Sequence, residues 1–454
     1  MKISRRTFGA AGIAALAFGG YARAALAAGE TYINQVEGYG RLVADPKGFL
    51  DLPQGFSYSV ISSAGEAMAD GFVVPDHFDG MGCIPLDHGK VALIRNHELT
   101  PGTGRQGPTA NDPARESRLA ALPVYGRDVN GAVLPGGTST VIYDTAHGRT
   151  VDQFLSLVGT VANCAGGITP WGSWLTCEET ALAAPSVEKS HGWIFEVPAT
   201  QRGLVAPVPL KAMGRFRHEA AAVDPDTGIV YLTEDRDDSL FYRFIPKVPG
   251  KLAQGGALQA LALVDGLADS RNWDGMAFAP GTTRAVRWID MDNVESPDDD
   301  LRQRGHAAGA LLFARGEGIH LGTNAAGKPE FFFTATSGGA GRYGQIFRYT
   351  PAGKDGGALQ LFVESDDPRR MDYADNLAVA PWGHLIVCED RTGNKINHLR
   401  GVTPDGRTYT LARLNAETEL AGACFSPDGR ILFVNAYSPG RTLAITGPWR
   451  SIAR

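Results

Sequence analysis

The residues best placed to do chemistry are acids that recur where short apolar runs end. Pro170-Trp171-Gly172-Ser173-Trp174-Leu175-Thr176-Cys177-Glu178-Glu179 reads as a turn, a short strand, then a thiol and two carboxylates. Pro381-Trp382-Gly383-His384-Leu385-Ile386-Val387-Cys388-Glu389-Asp390 has the same grammar. Asp226-Thr227-Gly228-Ile229-Val230-Tyr231-Leu232-Thr233-Glu234-Asp235 repeats it without the Cys. In all three, a turn glycine is followed six residues later by a Glu and seven later by another acid. If these strands line a common axis, Asn96/Glu98, residues 177–179, Glu234/Asp235, Glu389/Asp390 and Asn435 converge there. Converging carboxylates raise one another's pKa and lose their charge unless cations sit among them. Hard oxygen ligands suit calcium, whereas a single thiolate among them points to a softer transition metal such as iron. Cys177 is the first candidate for that thiolate and Cys388 the second. The alternative is that the acids stand in solvent or hold structural calcium.

Arg315 and Glu317 follow a further apolar run, residues 310–314. Arg315 would supply a fixed, bidentate cation for an anionic group such as phosphate. His97 and His218 each sit beside an acid and read as orienting their neighbours. Residues 76–82 form a loop rich in possible ligands. Other chemistries find no support. There is no GxSxG elbow for a serine nucleophile. The acidic stretch 290–300 lacks the glycine and final glutamate of an EF-hand and reads as a solvated loop. Residues 339–344 match GxGxxG, but a strand follows instead of a helix, so they read as a hairpin loop and not a dinucleotide site. The five cysteines, 83, 164, 177, 388 and 424, form neither a CxxC pair nor a disulfide framework.

Such acids must be positioned by many short strands. The chain has 454 residues, with 57 Gly, 27 Pro and 43% hydrophobic residues, a balance that favours turns and β-structure over disorder. Hardly any segment keeps a helical apolar period. Strand endings repeated at intervals of some tens of residues predict an all-β protein, a single β-propeller of five to seven blades, with six preferred. Residues 101–136, the longest stretch without alternation, read as a lid or surface insertion.

The first 27 residues read as a twin-arginine signal peptide: Ser4-Arg5-Arg6-Thr7-Phe8, a short Ala/Gly-rich apolar run, and cleavage after Ala24 or Ala27. The run is too short to span a bilayer, so no stable membrane anchor is expected. Residues 28–454 form the propeller domain, exported by the twin-arginine translocon to the periplasm or beyond. The net charge of −6 becomes −10 once residues 1–24 and their four basic side chains are removed. That balance argues against nucleic acid or an anionic membrane as partner.

Together these motifs resemble the PhoX-type secreted alkaline phosphatases. The resemblance rests on Pro-Trp-Gly-x-x-Leu-x-Cys-Glu-Glu, on Arg215-Phe216-Arg217-His218-Glu219, on residues 224–235, on Phe425-Ser426-Pro427-Asp428-Gly429, and on Asn435 with Pro439-Gly440. It also includes Asn96-His97-Glu98 and the signal, and runs from about residue 50 to 445. The resemblance implies an iron and calcium cluster on the propeller axis that hydrolyses phosphomonoesters of small molecules. It makes Cys177 the iron-bound thiolate, Glu219 and Glu317 carboxylate ligands, and Arg315 the phosphate-holding side chain. Glu98, Glu178, Glu234, Asp235 and Glu389 become calcium ligands or their supports. Gly316 stands where a bulkier residue is expected. Other readings are a phosphodiesterase or lactonase on the same scaffold, or a non-catalytic calcium-binding propeller.

Overall fold

The structure is a computed structural model that describes residues 31–102, 107–391 and 396–452. The signal peptide expected at residues 1–27 lies outside them. Within them, β-branched and aromatic runs such as Val230–Glu234 and Leu385–Glu389 form short antiparallel strands joined by glycine turns. Six equivalent hairpins each place a turn glycine in the left-handed region: Gly89, Gly172, Gly228, Gly327, Gly383 and Gly429. Only glycine adopts that conformation without strain.

The strands assemble into a propeller. Six inner strands, Phe78–Pro85, Asn163–Ile168, His218–Val223, Gly316–Thr323, Ala374–Val379 and Leu420–Phe425, pack side by side in a closed ring. Each pairs with a second strand: Lys90–His97, Ser173–Glu178, Val230–Glu234, Pro329–Ala335, Leu385–Glu389 and Ile431–Ala436. Outer strands complete six blades, numbered here in chain order. Blades 3 and 4 are joined at their outer edges by Thr283–Asp290 against Gly356–Glu364. Blade 6 is closed by the early strand Ser57–Ser63, which pairs with Arg441–Thr446. Leu50–Pro53 and Leu42–Val43 extend blade 5. Apolar clusters fill the spaces between blades, such as the aromatic stack of Tyr231, Phe241, Phe331, Phe333 and Phe347.

One sequence expectation is overturned by this topology. The repeats ending in acid pairs are the second strands of their blades, not the strands lining the axis. Second strands are buried on both faces, so they are the most apolar and the most visible in sequence. The axial strands are crowded instead by small residues. A Cβ on Gly80 would lie 2.4 Å from Ala165 Cα, and one on Gly167 would lie 1.9 Å from the Ala221 carbonyl oxygen.

The insertion in residues 101–136 contains the helix Pro113–Ala120, capped by Asp112, whose carboxylate accepts from Arg115 N. Its Leu119 packs with Phe72, Phe78 and Leu155. The acidic loop 290–300 is anchored and not merely solvated: Asp299 pairs with Arg236 at 2.6 Å, and Asp300 with Arg304.

Candidate metal centre at the propeller axis

A sixfold backbone pattern builds the site. In each blade, the residue after the second strand donates its N–H to the carbonyl of the residue before the inner strand. The pairs are Glu98 to His77 (3.0 Å), Glu179 to Ala162 (2.8 Å), Asp235 to Arg217 (3.2 Å), Thr336 to Arg315 (2.9 Å), Asp390 to Tyr373 (2.9 Å) and Tyr437 to Glu419 (3.1 Å). A register shift then interrupts every inner strand just after its start. Bulges of this kind re-aim side chains. The second residue of each inner strand is Asp79, Cys164, Glu219, Glu317, Asp375 or Ala421. Three rings of side chains therefore meet at one end of the axis. Beyond them the axis continues as a cavity of about 330 Å³, lined by small and apolar residues such as Ala165, Ala220 and Ile319.

Three sets of donor atoms lie close enough to share a cation: Cys164, Glu179 and Glu219; Glu219, Glu317 and Asp375; and Asp375, Asp390 and Glu419. Within each, the donors lie within 4.8 Å of one another. Glu219 and Asp375 are shared, so the sets run on as one chain. Both carboxylate oxygens of Glu219 and one of Asp375 are buried without a hydrogen bond of ordinary geometry. The Cys164 thiol stands beside Glu219 and 3.5 Å from an Asp79 oxygen. Unpaired buried carboxylate oxygens are costly, and cations remove that cost.

Without cations the electrostatics are adverse. Burial, then Asp375 and Glu179, push the Glu219 carboxyl well above its usual range. Burial and Asp235 do the same to Glu317, against the pull of Arg315. Asp375 is pushed up to about 8 by burial and by Asp390. Asp79, Glu179 and Glu419 are likewise raised, first by burial, then by neighbouring acids. Burial and Asp79 also raise the Cys164 thiol. The residues present therefore fit a cluster of cations.

Arg315, with φ of 58°, stands over this cluster. Its guanidinium donates to Asp235 at 2.8 and 3.2 Å and to Glu317 at 2.5 Å, while its side chain stays 27% exposed. Glu317, then Asp235, favour its charged form. Gly316 follows in a close-packed position, where a Cβ would lie 3.2 Å from the Glu234 carbonyl oxygen.

The acids expected from sequence divide by position. The first acid of each pair faces into its own blade. Glu178 accepts from the backbone N–H groups of Val161, Gly192 and Trp193 and from His191 Nδ1. Glu389 accepts from His398 N and Nδ1 and from Arg400 Nε at 2.7 Å. Burial alone would raise Glu389, but Arg400 and His398 outweigh it and hold it low. Glu234 accepts from Tyr242 Oη at 3.0 Å, and burial pushes it up to about 8. None of these three belongs to a cation-sized set among the described residues. The second acids, Glu179, Asp235 and Asp390, turn to the axis, as does Glu98, which accepts from Tyr437 Oη at 2.5 Å and faces Asp79.

Neither candidate thiol reaches the cluster. Cys177 is fully buried among Leu175, Ile194 and Leu232, and Cys388 among Ile386, Leu399 and Leu432. Side chains alternate along a strand, and both residues point away from the axis. The thiol that stands among the axial acids is Cys164, beside Glu179 and Glu219. His97 and His218 orient no acid among the described residues: His97 lies against the Asp76 carbonyl and Ser139, and His218 against the Gly214 carbonyl. Sequence reading placed Glu179 and Asp390 at the axis without singling them out as ligands, and it missed Cys164, Asp375 and Glu419 altogether. For the inner-strand residues the signal is an acid or thiol followed by a small residue or Asn, as in Asp79-Gly80, Cys164-Ala165, Glu219-Ala220, Glu317-Gly318 and Asp375-Asn376; Glu419 has no such signal.

No helix among the described residues is long and apolar enough to cross a membrane. Among solved structures, the chain is similar to Pseudomonas fluorescens PhoX in complex with vanadate, a transition state analogue. The two share 19% identity and a TM-score of 0.65, over 88% of this chain and 96% of that one. A luciferin-regenerating enzyme (9% identity, TM-score 0.44, 87% and 96% covered) is a more distant likeness. So is the gluconolactonase XC5397 from Xanthomonas campestris (13% identity, TM-score 0.38, 90% and 98% covered). No curated protein matches the chain. The family model for alkaline phosphatase PhoX matches residues 37–440, so the chain belongs to that family, whose members are metal-dependent phosphoester hydrolases.

Proposed function

We propose that this chain is an exported phosphomonoesterase whose catalytic cations are iron and calcium, held by the three linked donor sets at the axis. The observation that carries the reading is the convergence itself: a thiol and a chain of buried acids, with both Glu219 oxygens lacking a hydrogen bond of ordinary geometry, beside a partly exposed arginine. The set containing Cys164 suits a transition metal such as iron. The all-oxygen set of Asp375, Asp390 and Glu419 suits calcium. Glu219, Glu317 and Asp375 link the two. Bound cations would supply the positive charge that polarises phosphoryl oxygens and acidifies the attacking water.

The chain's own groups do the rest. Asp235 and Glu317 hold the Arg315 guanidinium in one orientation. Its Nη1, which is not used in those bonds, would bind phosphate oxygens and balance charge growing on them in an in-line displacement. Arg217, 3.5 Å from Glu179, adds a second cation at the rim. The residues 1–27 are a twin-arginine signal in this reading, which delivers folded, metal-loaded protein to the periplasm or beyond.

Metal analysis of protein exported by its own route, followed by turnover of p-nitrophenyl phosphate, tests the assignment. Iron together with calcium, and a fall in kcat/KM of about 10²-fold in Arg315→Ala, is the expected result. Calcium alone with no phosphatase turnover overturns it.

A further inference from the structure

One position recurs in every second strand, two residues before Glu98, Glu179, Asp235, Thr336, Asp390 and Tyr437. It holds Asn96, Cys177, Thr233, Thr334, Cys388 and Asn435 in turn. Asn96 and Asn435, expected from sequence at the axis, are instead buried and reach into the neighbouring blade, as are Thr233 and Thr334. Asn96 Nδ2 donates to the Cys164 carbonyl at 2.9 Å and to that of Ala165 at 2.7 Å. Thr233 Oγ1 donates to the Glu317 carbonyl at 2.5 Å, Thr334 Oγ1 to that of Asp375 at 2.7 Å, and Asn435 Nδ2 to that of Asp79 at 2.6 Å. In blades 2 and 5 the position is a thiol.

Each acceptor is the backbone of a residue whose own side chain turns to the cluster. The register shift that aims that side chain also takes its peptide out of the ladder. A buried carbonyl left that way needs a donor. The neighbouring blade supplies it, and so fixes the peptide from outside its own sheet. Thr233 goes further: its Oγ1 also accepts from Ala220 N at 3.1 Å. One hydroxyl therefore ties the peptide after Glu219 to the Glu317 carbonyl, across two blades. The asparagines are themselves held. Asn96 Oδ1 accepts from Trp174 Nε1 and Thr176 Oγ1, both at 2.9 Å, and Asn435 Oδ1 from Thr442 Oγ1 at 2.7 Å. These bonds keep each amide nitrogen turned to its carbonyl.

We propose that Asn96, Thr233, Thr334 and Asn435 are positioning residues: each ties down the donor-bearing peptide of the next blade, so that the donor sets keep a cation-sized spacing before any cation binds. The inference rests on the cation reading of the axis. Asn96 serves the set of Cys164, Thr233 that of Glu317, and Thr334 the two sets that share Asp375. Asn435 serves Asp79, whose carboxylate stands 3.5 Å from the Cys164 thiol.

The threonines test it, since valine keeps their shape without the donor and serine keeps the donor. The first measurement is metal content of the metal-loaded protein by mass spectrometry after timed exposure to EDTA. Thr233→Val and Thr334→Val are expected to release metal about 10-fold faster than wild type, because losing the partner that orients a ligand costs about that factor or more. Thr233→Ser and Thr334→Ser are expected to restore the wild-type rate. Thr138→Val, which loses a buried hydroxyl pair with Ser156 in the third strand of blade 1, is expected to release metal as wild type does. Wild-type release in both Thr233→Val and Thr334→Val overturns the proposal. So does equal acceleration in Thr138→Val, which would mean general loosening of the fold. The second measurement is amide hydrogen exchange on metal-stripped protein, which needs no cation. Faster exchange at 316–319 in Thr233→Val and at 374–377 in Thr334→Val supports the tethers, and unchanged exchange at both overturns them. A wild type that holds no metal, with those exchange changes present, supports the tethers and counts against the cation reading alone.

Discussion

Two cysteines thirteen residues apart have opposite fates. Cys164 opens an inner strand, where the bulge turns its sulfur among Asp79, Glu179 and Glu219. Cys177 closes the paired second strand and faces the apolar space between blades. Cys164→Ala should therefore remove a metal ligand: iron content falls, and turnover of p-nitrophenyl phosphate drops about 10²-fold or more, as for loss of a group that supports transition-state charge. Cys177→Ala should leave metal content and turnover in place and cost about 1 kcal/mol in a denaturant titration, from a small core cavity. The reverse pattern in metal analysis would return the thiolate role to Cys177. From sequence, the two were separable only by strand position. Cys177 had the louder motif, because an apolar second strand precedes it.

Within each hairpin, the acid pair carries a division of labour. The first acid pairs across the ladder with the first residue of the inner strand, as Glu178 with Asn163, Glu234 with His218 and Glu389 with Ala374. It holds together the strands that set the inner strand's start. The second acid, one residue on, points to the axis because side chains alternate. Glu389→Ala should strand Arg400 and His398 in the core and lower stability by about 3–5 kcal/mol, seen as a fall in Tm. Turnover per folded molecule should stay within a few-fold of wild type. Asp390→Asn should do the opposite, with Tm of the metal-free protein unchanged or raised and calcium content reduced. Equal effects of the two on metal content would sink the division. The acid pairs themselves were legible in sequence. Which member does which was not, since that depends on where the ladder ends.

At the level of the whole molecule, closing six blades forces the acids together, and this makes the fold sensitive to pH when cations are stripped. The folded-state carboxyls of Glu219, Glu317, Glu179 and Asp375 are raised above their unfolded values. A raised carboxyl holds its proton in the fold. Its contribution is thus fully present below the unfolded range near pH 4 and is lost as pH climbs through the folded value, about 8 for Asp375. Chelator-treated protein should therefore melt lower at pH 8.5 than at pH 5.5, by about 5 °C or more. Metal-loaded protein should show little of this slope, since cations replace the protons. Scanning calorimetry at the two pH values, with and without chelator, checks it. A chelated protein that melts higher at pH 8.5 would mean that the acids do not face one another.

The sequence by itself determined the β-propeller class, its turn glycines, the family, and the gathering of Glu98, Glu219, Asp235, Glu317 and Arg315 into one site. Those features are local: short apolar runs, glycines at positive φ, and contiguous motifs that survive in one dimension. The tertiary structure alone decided which strand of each blade faces the axis, that Cys164 is the thiol standing among the acids, and that Asp375, Asp390 and Glu419 lie within reach of the other donors. These depend on ring closure between strands far apart in the chain. They depend also on a bulge at each inner strand's start, which changes the direction of a side chain without changing its identity. Small axial residues, which carry almost no strand signal, are what let six backbones approach closely enough for those side chains to meet.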